Sequence, residues 1–222
     1  MAKGFDRDAL TATLKKGATE LALALSDMQL ERLMDYLALL AKWNTVYNLT
    51  AVRDPSQMVV QHLLDSLAAV PAFAQAQRVL DVGSGGGLPG MVLAIWAAES
   101  RPSLQISMID TVHKKTAFLT QVKAELGLTN VTVYTGRVEE YQTEQPFDVI
   151  TSRAFADLSD FVNWSGHLLS HDGMFIAMKG VATSEEAGRL PPAWRLIRKT
   201  RLTVPGLDAE RHLVFIARAG ES

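Results

Sequence analysis

One stretch restricts this chain more than any other: Arg78-Val79-Leu80-Asp81-Val82-Gly83-Ser84-Gly85-Gly86-Gly87-Leu88-Pro89-Gly90. Val79 to Val82 is an apolar run broken only by Asp81, the pattern of a short buried strand. Five glycines follow in the eight residues 83–90, and Met91 to Ala98 is then apolar and helix-compatible. Strand, glycine turn and helix in succession bring backbone N–H groups close to a bound group. A plain tight turn needs one or two glycines, and every further one loses backbone entropy on folding. The cluster therefore argues for a close approach that side chains would block.

The details narrow the ligand. There is no Gly-Lys-Ser/Thr ending, which argues against a phosphate loop of the nucleotide-hydrolase kind. In one register, Gly85-x-Gly87-x-x-Gly90 fits a dinucleotide fingerprint, and this keeps an NAD-dependent dehydrogenase as a distant alternative. In the other, Gly83 follows the strand directly and Asp81 stands two residues before it. That pattern, Asp-Val-Gly-x-Gly, resembles motif I of the class I S-adenosylmethionine-dependent methyltransferases.

The rest of the chain supplies the frame. Leu10, Leu14, Leu21 and Leu25 have roughly helical spacing. Ser26 or Asp27 then caps a helix with the apolar stripe Leu30, Leu33, Met34, Leu37, Leu40 and Ala41, and Gln29 helps at its first turn. A second helical run is expected over Ser56–Val70, stopped by Pro71. Residues 1–74 thus form a helical N-terminal extension. Residues 75–222 read as one compact unit with strands at Val79–Val82, Leu104–Asp110, Val131–Tyr134, Phe147–Ser152 and Met174–Lys179. Helices fall at His113–Leu126 and Leu158–Leu169, and Asp172-Gly173 reads as a turn. This alternation implies an α/β fold with a doubly wound, mostly parallel Rossmann-like sheet. Trp194–Thr203 and His212–Ala217 lack a long crossover and should pair antiparallel at one edge.

Composition excludes several chemistries. With no Cys among 222 residues there is no disulfide, thiolate metal site or thiol nucleophile. The five His are scattered without metal-ligand spacing, so no metal site is expected. Met1 to Asp8 carries no apolar signal core, and no run approaches a membrane span, so a cytoplasmic protein without membrane contact is expected. The net charge of −2 means that any nucleic-acid footprint is local.

Asp110 ends the second strand, beside the first strand's carboxyl end. It suits the hydroxyls of an adenosine ribose and equally suits a helix N-cap, and the two roles are compatible. Val138 and Glu139, just after the third strand, are placed to read an adenine edge or to begin a surface helix. After the fourth strand comes Thr151-Ser152-Arg153-Ala154-Phe155-Ala156. Many amino-group methyltransferases carry Asn/Asp-Pro-Pro-Tyr there, and this chain does not. Arg153 suits an acceptor without an amine to activate, such as a ring nitrogen, or a phosphate or carboxylate. Phe155 suits a stacked base or the core. Lys179 adds a cation at the same face. Further basic residues are Arg53, Lys114, Lys115, Arg195, Arg198 and Lys199. These read as an RNA-facing set, with the alternative for residues 195–201 that they protect an edge strand from aggregation. His62, on an apolar helical stripe, reads as structural.

Five segments occur in order: Asn48-Leu49-Thr50-Ala51-Val52, His62-Leu63-Leu64-Asp65-Ser66-Leu67, Asp81 to Gly90, Gly136-Arg137-Val138-Glu139 and Ser152-Arg153-Ala154-Phe155. Together they resemble the RsmG (GidB) family of bacterial small-subunit ribosomal RNA guanine-N7 methyltransferases, over about Trp43 to Lys179. The resemblance implies S-adenosylmethionine as cofactor and ribosomal RNA or a ribosomal particle as partner. It places cofactor contacts on Gly83, Leu88, Val138, Glu139 and Arg153. The strand-end argument adds Asp110, and motif I adds Asp81 and Gly85. Arg153 is then expected to position the acceptor, with no general base required. A monomer is the expected state. A small-molecule methyltransferase is the nearer alternative.

Overall fold

The computed structural model describes residues 5–153, 155, 157–180 and 188–220. Ala154 and Ala156 of the segment after the fourth strand lie outside them. Among the described residues, seven strands form one sheet in the order β3-β2-β1-β4-β5-β7-β6. They are β1 (Arg78–Val82), β2 (Gln105–Asp110), β3 (Val131–Thr135), β4 (Phe147–Ser152), β5 (Leu169–Lys179), β6 (Trp194–Leu202) and β7 (Arg211–Arg218). The first five pair in parallel. β7 runs antiparallel to both β5 and β6. The final hairpin therefore lies at one edge, but its second strand is inserted next to β5. Strand composition explains this order. β7 (RHLVFIAR) is buried along Leu213–Ile216, whereas β6 (WRLIRKTRL) is exposed from Arg195 to Arg201. Only the apolar strand suits an interior place, and the charged one blunts the edge.

The helices are α1 (Arg7–Glu20), α2 (Asp27–Tyr47), α3 (Pro55–Met58), α4 (Asp65–Leu67), α5 (Gly90–Ser100), α6 (His113–Glu125) and α7 (Leu158–Ser165). Ser26 caps α2, and Gln29 completes a reciprocal capping box. The Gln29 amide also donates to Trp96 O at 2.7 Å and Ser100 Oγ at 2.9 Å, fastening α2 to the end of α5.

Three sequence expectations are corrected. The run Ser56–Val70 is not one α-helix: a π-helical turn, Val59–Leu64, separates α3 from α4. Pro71 does not end it either, because it sits in the first turn of a 3-10 helix, Val70–Phe73, where its missing N–H costs nothing. Asp172-Gly173 is not a free turn but lies within β5, at the register shift between Phe147↔Leu169 and Val149↔Met174.

Strand alternation divides the core. Val79, Ile106, Met108 and Val149 point to one side, joined by Leu33, Leu37 and Leu40 of α2 and Phe118 and Leu119 of α6. Leu80, Val82, Ile109 and Ile150 point to the other, against Phe161 and Val162 of α7 and Phe175 and Trp194. The N-terminal helices thus share one continuous core with the sheet. Tyr36 of α2 is fully buried, and its hydroxyl donates to Gly86 O at 2.6 Å. Burial drives that phenol far above its ordinary pKa. No helix among the described residues is long and apolar enough to cross a membrane.

Candidate functional site

The glycine turn opens at the carboxyl end of β1. Gly83 N–H and Ser84 N–H both donate to Ile109 O, at 2.9 and 3.2 Å, so the turn folds over β2. Gly85 has φ +57°, which L side chains adopt with strain. Gly90, the first residue of α5, has a different reason. A Cβ there would stand 2.7 Å from Asp81 Oδ2 and 2.8 Å from Met108 Cγ.

That contact reveals what Asp81 does. It is fully buried, and its Oδ2 accepts the Gly90 N–H at 2.8 Å. Its Oδ1 is buried with no partner in the protein. Burial raises its pKa to about 7, against the opposing pull of the Gly90 N–H and the Arg153 charge. An orphaned carboxylate oxygen at a strand end is suited to a cationic ligand group.

Asp110 ends β2 and ties two loops. Oδ2 accepts from Gly85 N at 3.0 Å, Oδ1 accepts from Val112 N at 2.9 Å, and Lys115 Nζ lies 3.6 Å away. Past it opens a cavity of about 520 Å³. Gly83, Asp110, Lys115, Val138 and Glu139 line it, all singled out from sequence. Val138 is buried and begins a 3-10 helix, Val138–Glu140. Glu139 pairs with Arg137, and its carboxyl is held below the usual range, first by its own backbone N–H and then by Arg137. The far wall is Phe155, Asp157, Asp160 and Trp164. Phe155 stacks on Phe161 at 5.1 Å and meets Trp164 edge-on at 5.5 Å between centroids. Trp164 is 41 % exposed, large for a Trp beside a cavity. Sequence reasoning missed it because its helical spacing reads simply as amphipathic.

Other expected residues lie elsewhere. Leu88 is buried in the core and does not line the cavity. Arg153 and Lys179 line a second, smaller cavity of about 250 Å³ with Asp65, Met178, Gly180 and Arg211. Arg153 Nη1 donates to Asp65 Oδ2 at 2.9 Å and to Gln61 O at 3.3 Å. Arg53 bonds Asn48 Oδ1 at 2.5 Å and Asn44 O at 3.2 Å, at the end of α2. Lys114 is exposed at the start of α6, and Arg195, Arg198 and Lys199 lie on the edge strand. None of these last five lines either cavity. Arg198 packs over the Phe215 ring at 4.0 Å.

His62 is buried, with Nε2 2.9 Å from Thr50 Oγ1 and Nδ1 without a partner. Burial lowers its pKa to about 4, aided by the Arg153 charge, with a backbone bond at Gln61 opposing. The folded pKa is depressed, so the stability from neutral His62 is present above about pH 6.5 and is lost as pH falls toward 4. Thermal melts of His62→Gln should show a shallower loss of Tm between pH 6.5 and 4 than the parent. Parallel curves would remove His62 as the source.

Comparison with known proteins gives the family and the fold. The Ribosomal RNA small subunit methyltransferase G of Janthinobacterium sp. (strain Marseille) is 69 % identical over 216 residues, covering 97 % of this chain and 98 % of that one. Its counterpart in Herminiimonas arsenicoxydans is 67 % identical, covering 97 % and 99 %. Among solved structures, the O-methyltransferase TomG of Streptomyces achromogenes, in complex with S-adenosylmethionine, superposes with a TM-score of 0.58. It shares 15 % identity and covers 97 % of this chain and 100 % of that one, a likeness of fold alone. The family model for rRNA small subunit methyltransferase G matches residues 29–214, and the chain belongs to that family.

Proposed function

We propose that this chain transfers the methyl group of S-adenosylmethionine to N7 of a guanine in small-subunit ribosomal RNA. The observation that carries the reading is the pairing of two cavities at the carboxyl ends of the strands. Phe155 lines an acid-bearing one with Asp110, and Arg153, two residues earlier, lines a cation-bearing one with Lys179. The first fits an adenosine with a positively charged tail, and the second fits an anionic substrate. Family membership supports both halves.

The residues present fit the cofactor. In the cavity, Asp110 can take the ribose hydroxyls and Val138 with Glu139 the adenine edge. Asp81 is buried behind the glycine turn and does not line the cavity, and its orphaned Oδ1 belongs to the carboxylate nearest that turn in sequence, which can take an ammonium. Gly83 and Gly85 keep the backbone free of side chains beside it. When bound, the cofactor supplies an electrophilic sulfonium methyl. Guanine N7 carries a free lone pair on the major-groove edge. No side chain has to remove a proton before attack. The work of the protein is alignment and exclusion of water, and alignment alone contributes on the order of 7–11 kcal/mol. Phe155 and Trp164 provide an apolar wall, and Arg153 positions the acceptor.

The protein acts as a monomer in the cytoplasm in this reading. Ribosomal RNA from cells lacking it, treated with borohydride and aniline, should lose one N7-methylguanosine cleavage in the small-subunit RNA. Persistence of every such site would overturn the assignment.

A further inference from the structure

Asp65 reads in the sequence as one helix residue among leucines, yet in the fold two arginines converge on its carboxylate. It begins α4, directly after the π-helical turn, and its side chain is 3 % exposed. One oxygen takes Arg153 Nη1 at 2.9 Å; the other takes Arg211 Nε at 3.0 Å. Both arginines are 26 % exposed, so they are gripped from behind and open in front. They come from distant parts of the chain: Arg153 follows β4, and Arg211 opens β7. What lies in front is the 250 Å³ cavity, where Lys179 adds a third cation.

We propose that Asp65 is a positioning residue that clamps Arg153 and Arg211 side by side as a fork for a phosphodiester of the RNA substrate. This rests on the functional reading above and names the group that the second cavity takes. Each guanidinium carries five N–H donors in a plane. The known contacts use Nη1 of Arg153 and Nε and Nη1 of Arg211, whose Nη1 donates to Glu210 O at 2.9 Å. Burying a carboxylate between two cations seldom improves stability over apolar packing, so a reason beyond stability is called for. Orientation supplies one, because planar forks match phosphate oxygens only when their planes are held.

Asp65→Asn separates orientation from charge, because the two predict opposite signs. Removing an anion beside three cations should tighten RNA binding if summed charge governs it. If the clamp governs it, binding weakens, by roughly tenfold or more for the loss of charge-assisted hydrogen bonds. The assay is filter binding to small subunits from cells lacking the protein, with KM and kcat for methyl transfer measured alongside. KM for the subunit should rise more than kcat falls. Arg211→Lys, which keeps the charge and loses the fork, should weaken RNA binding likewise while S-adenosylhomocysteine affinity by calorimetry stays within about twofold. This second variant carries the test if Asp65→Asn does not fold. Unchanged or tighter RNA binding in either folded variant overturns the clamp. A parent protein that fails to methylate these subunits overturns the functional reading instead.

Discussion

Asp110→Ala is expected to abolish cofactor binding, raising the Kd for S-adenosylhomocysteine by at least roughly 100-fold, since two charge-assisted hydrogen bonds are lost together. The reason is positional. The carboxylate receives Gly85 N–H with one oxygen and Val112 N–H with the other. It thereby joins the glycine turn of β1 to the loop that leads into α6. At 6 % exposure there is little water to replace it. Lys115, 3.6 Å away, would also be left facing the cavity without its partner. A drop in Tm of about 4–8 °C should accompany the loss, for about 2 kcal/mol in a domain of this size. Isothermal calorimetry and a melt on the same sample check both. Asp110→Asn keeps one acceptor and should fall between the two. If Asp110→Ala binds S-adenosylhomocysteine normally, the cavity is not the adenosine site.

Asp81→Asn is expected to move stability and binding in opposite directions. The carboxyl is fully buried, and one of its oxygens has no partner. Its pKa is pushed up to about 7, chiefly by burial. A folded pKa above the unfolded value means that the native state holds the proton more tightly. The stability from that proton is complete below about pH 4 and is lost as pH rises through about 7. Asn retains an acceptor for Gly90 N–H and cannot ionise. The ligand-free variant should be about 1–3 kcal/mol more stable than the parent at pH 8, with the difference vanishing near pH 4. Its affinity for S-adenosylmethionine should fall at least about tenfold, because a buried carboxylate facing a cation is lost. Denaturant melts at pH 4, 6 and 8 read the first effect, and calorimetry reads the second. Stability that is lower at pH 8 in the variant would mean that the ionised carboxylate is satisfied in the free protein.

Both variants act on the part of the molecule most visible in the amino-acid order. Asp81 and the glycines stand within ten residues of each other, and Asp110 lies one βα unit on. A parallel β1–β2 pair necessarily puts those strand ends side by side. Motif, spacing and topology there say the same thing. In the sequence Gly90 reads only as the last glycine of the cluster and of the Gly85-x-Gly87-x-x-Gly90 register, and its contact with Asp81 needed three dimensions.

The cation-lined cavity is the opposite case. Arg153, Asp65 and Arg211 are separated by 88 and 146 positions, and no local pattern links them. Arg211 looks like the polar end of an apolar strand, and Asp65 like a helix residue among leucines. They meet because β7, not β6, docks against β5. That order follows from which strand has the apolar faces to survive burial. The missing crossover puts the last two strands at an edge without determining which of them lies inside.

The chain by itself determined most element types, the parallel part of the sheet, and the strand-turn-helix with its two acids, because these depend on periodicity and on contacts between neighbours in order; the π-helical turn within Ser56–Val70 and the strand through Asp172-Gly173 did not follow from it. Tertiary structure alone decided that Tyr36 of α2 holds the glycine turn, that Leu88 belongs to the core, and that Trp164 walls the first cavity. It also decided that one buried carboxylate gathers two distant arginines. Each of these depends on which faces are left after the large apolar surfaces have paired, and burial is a property of the assembled fold rather than of any segment.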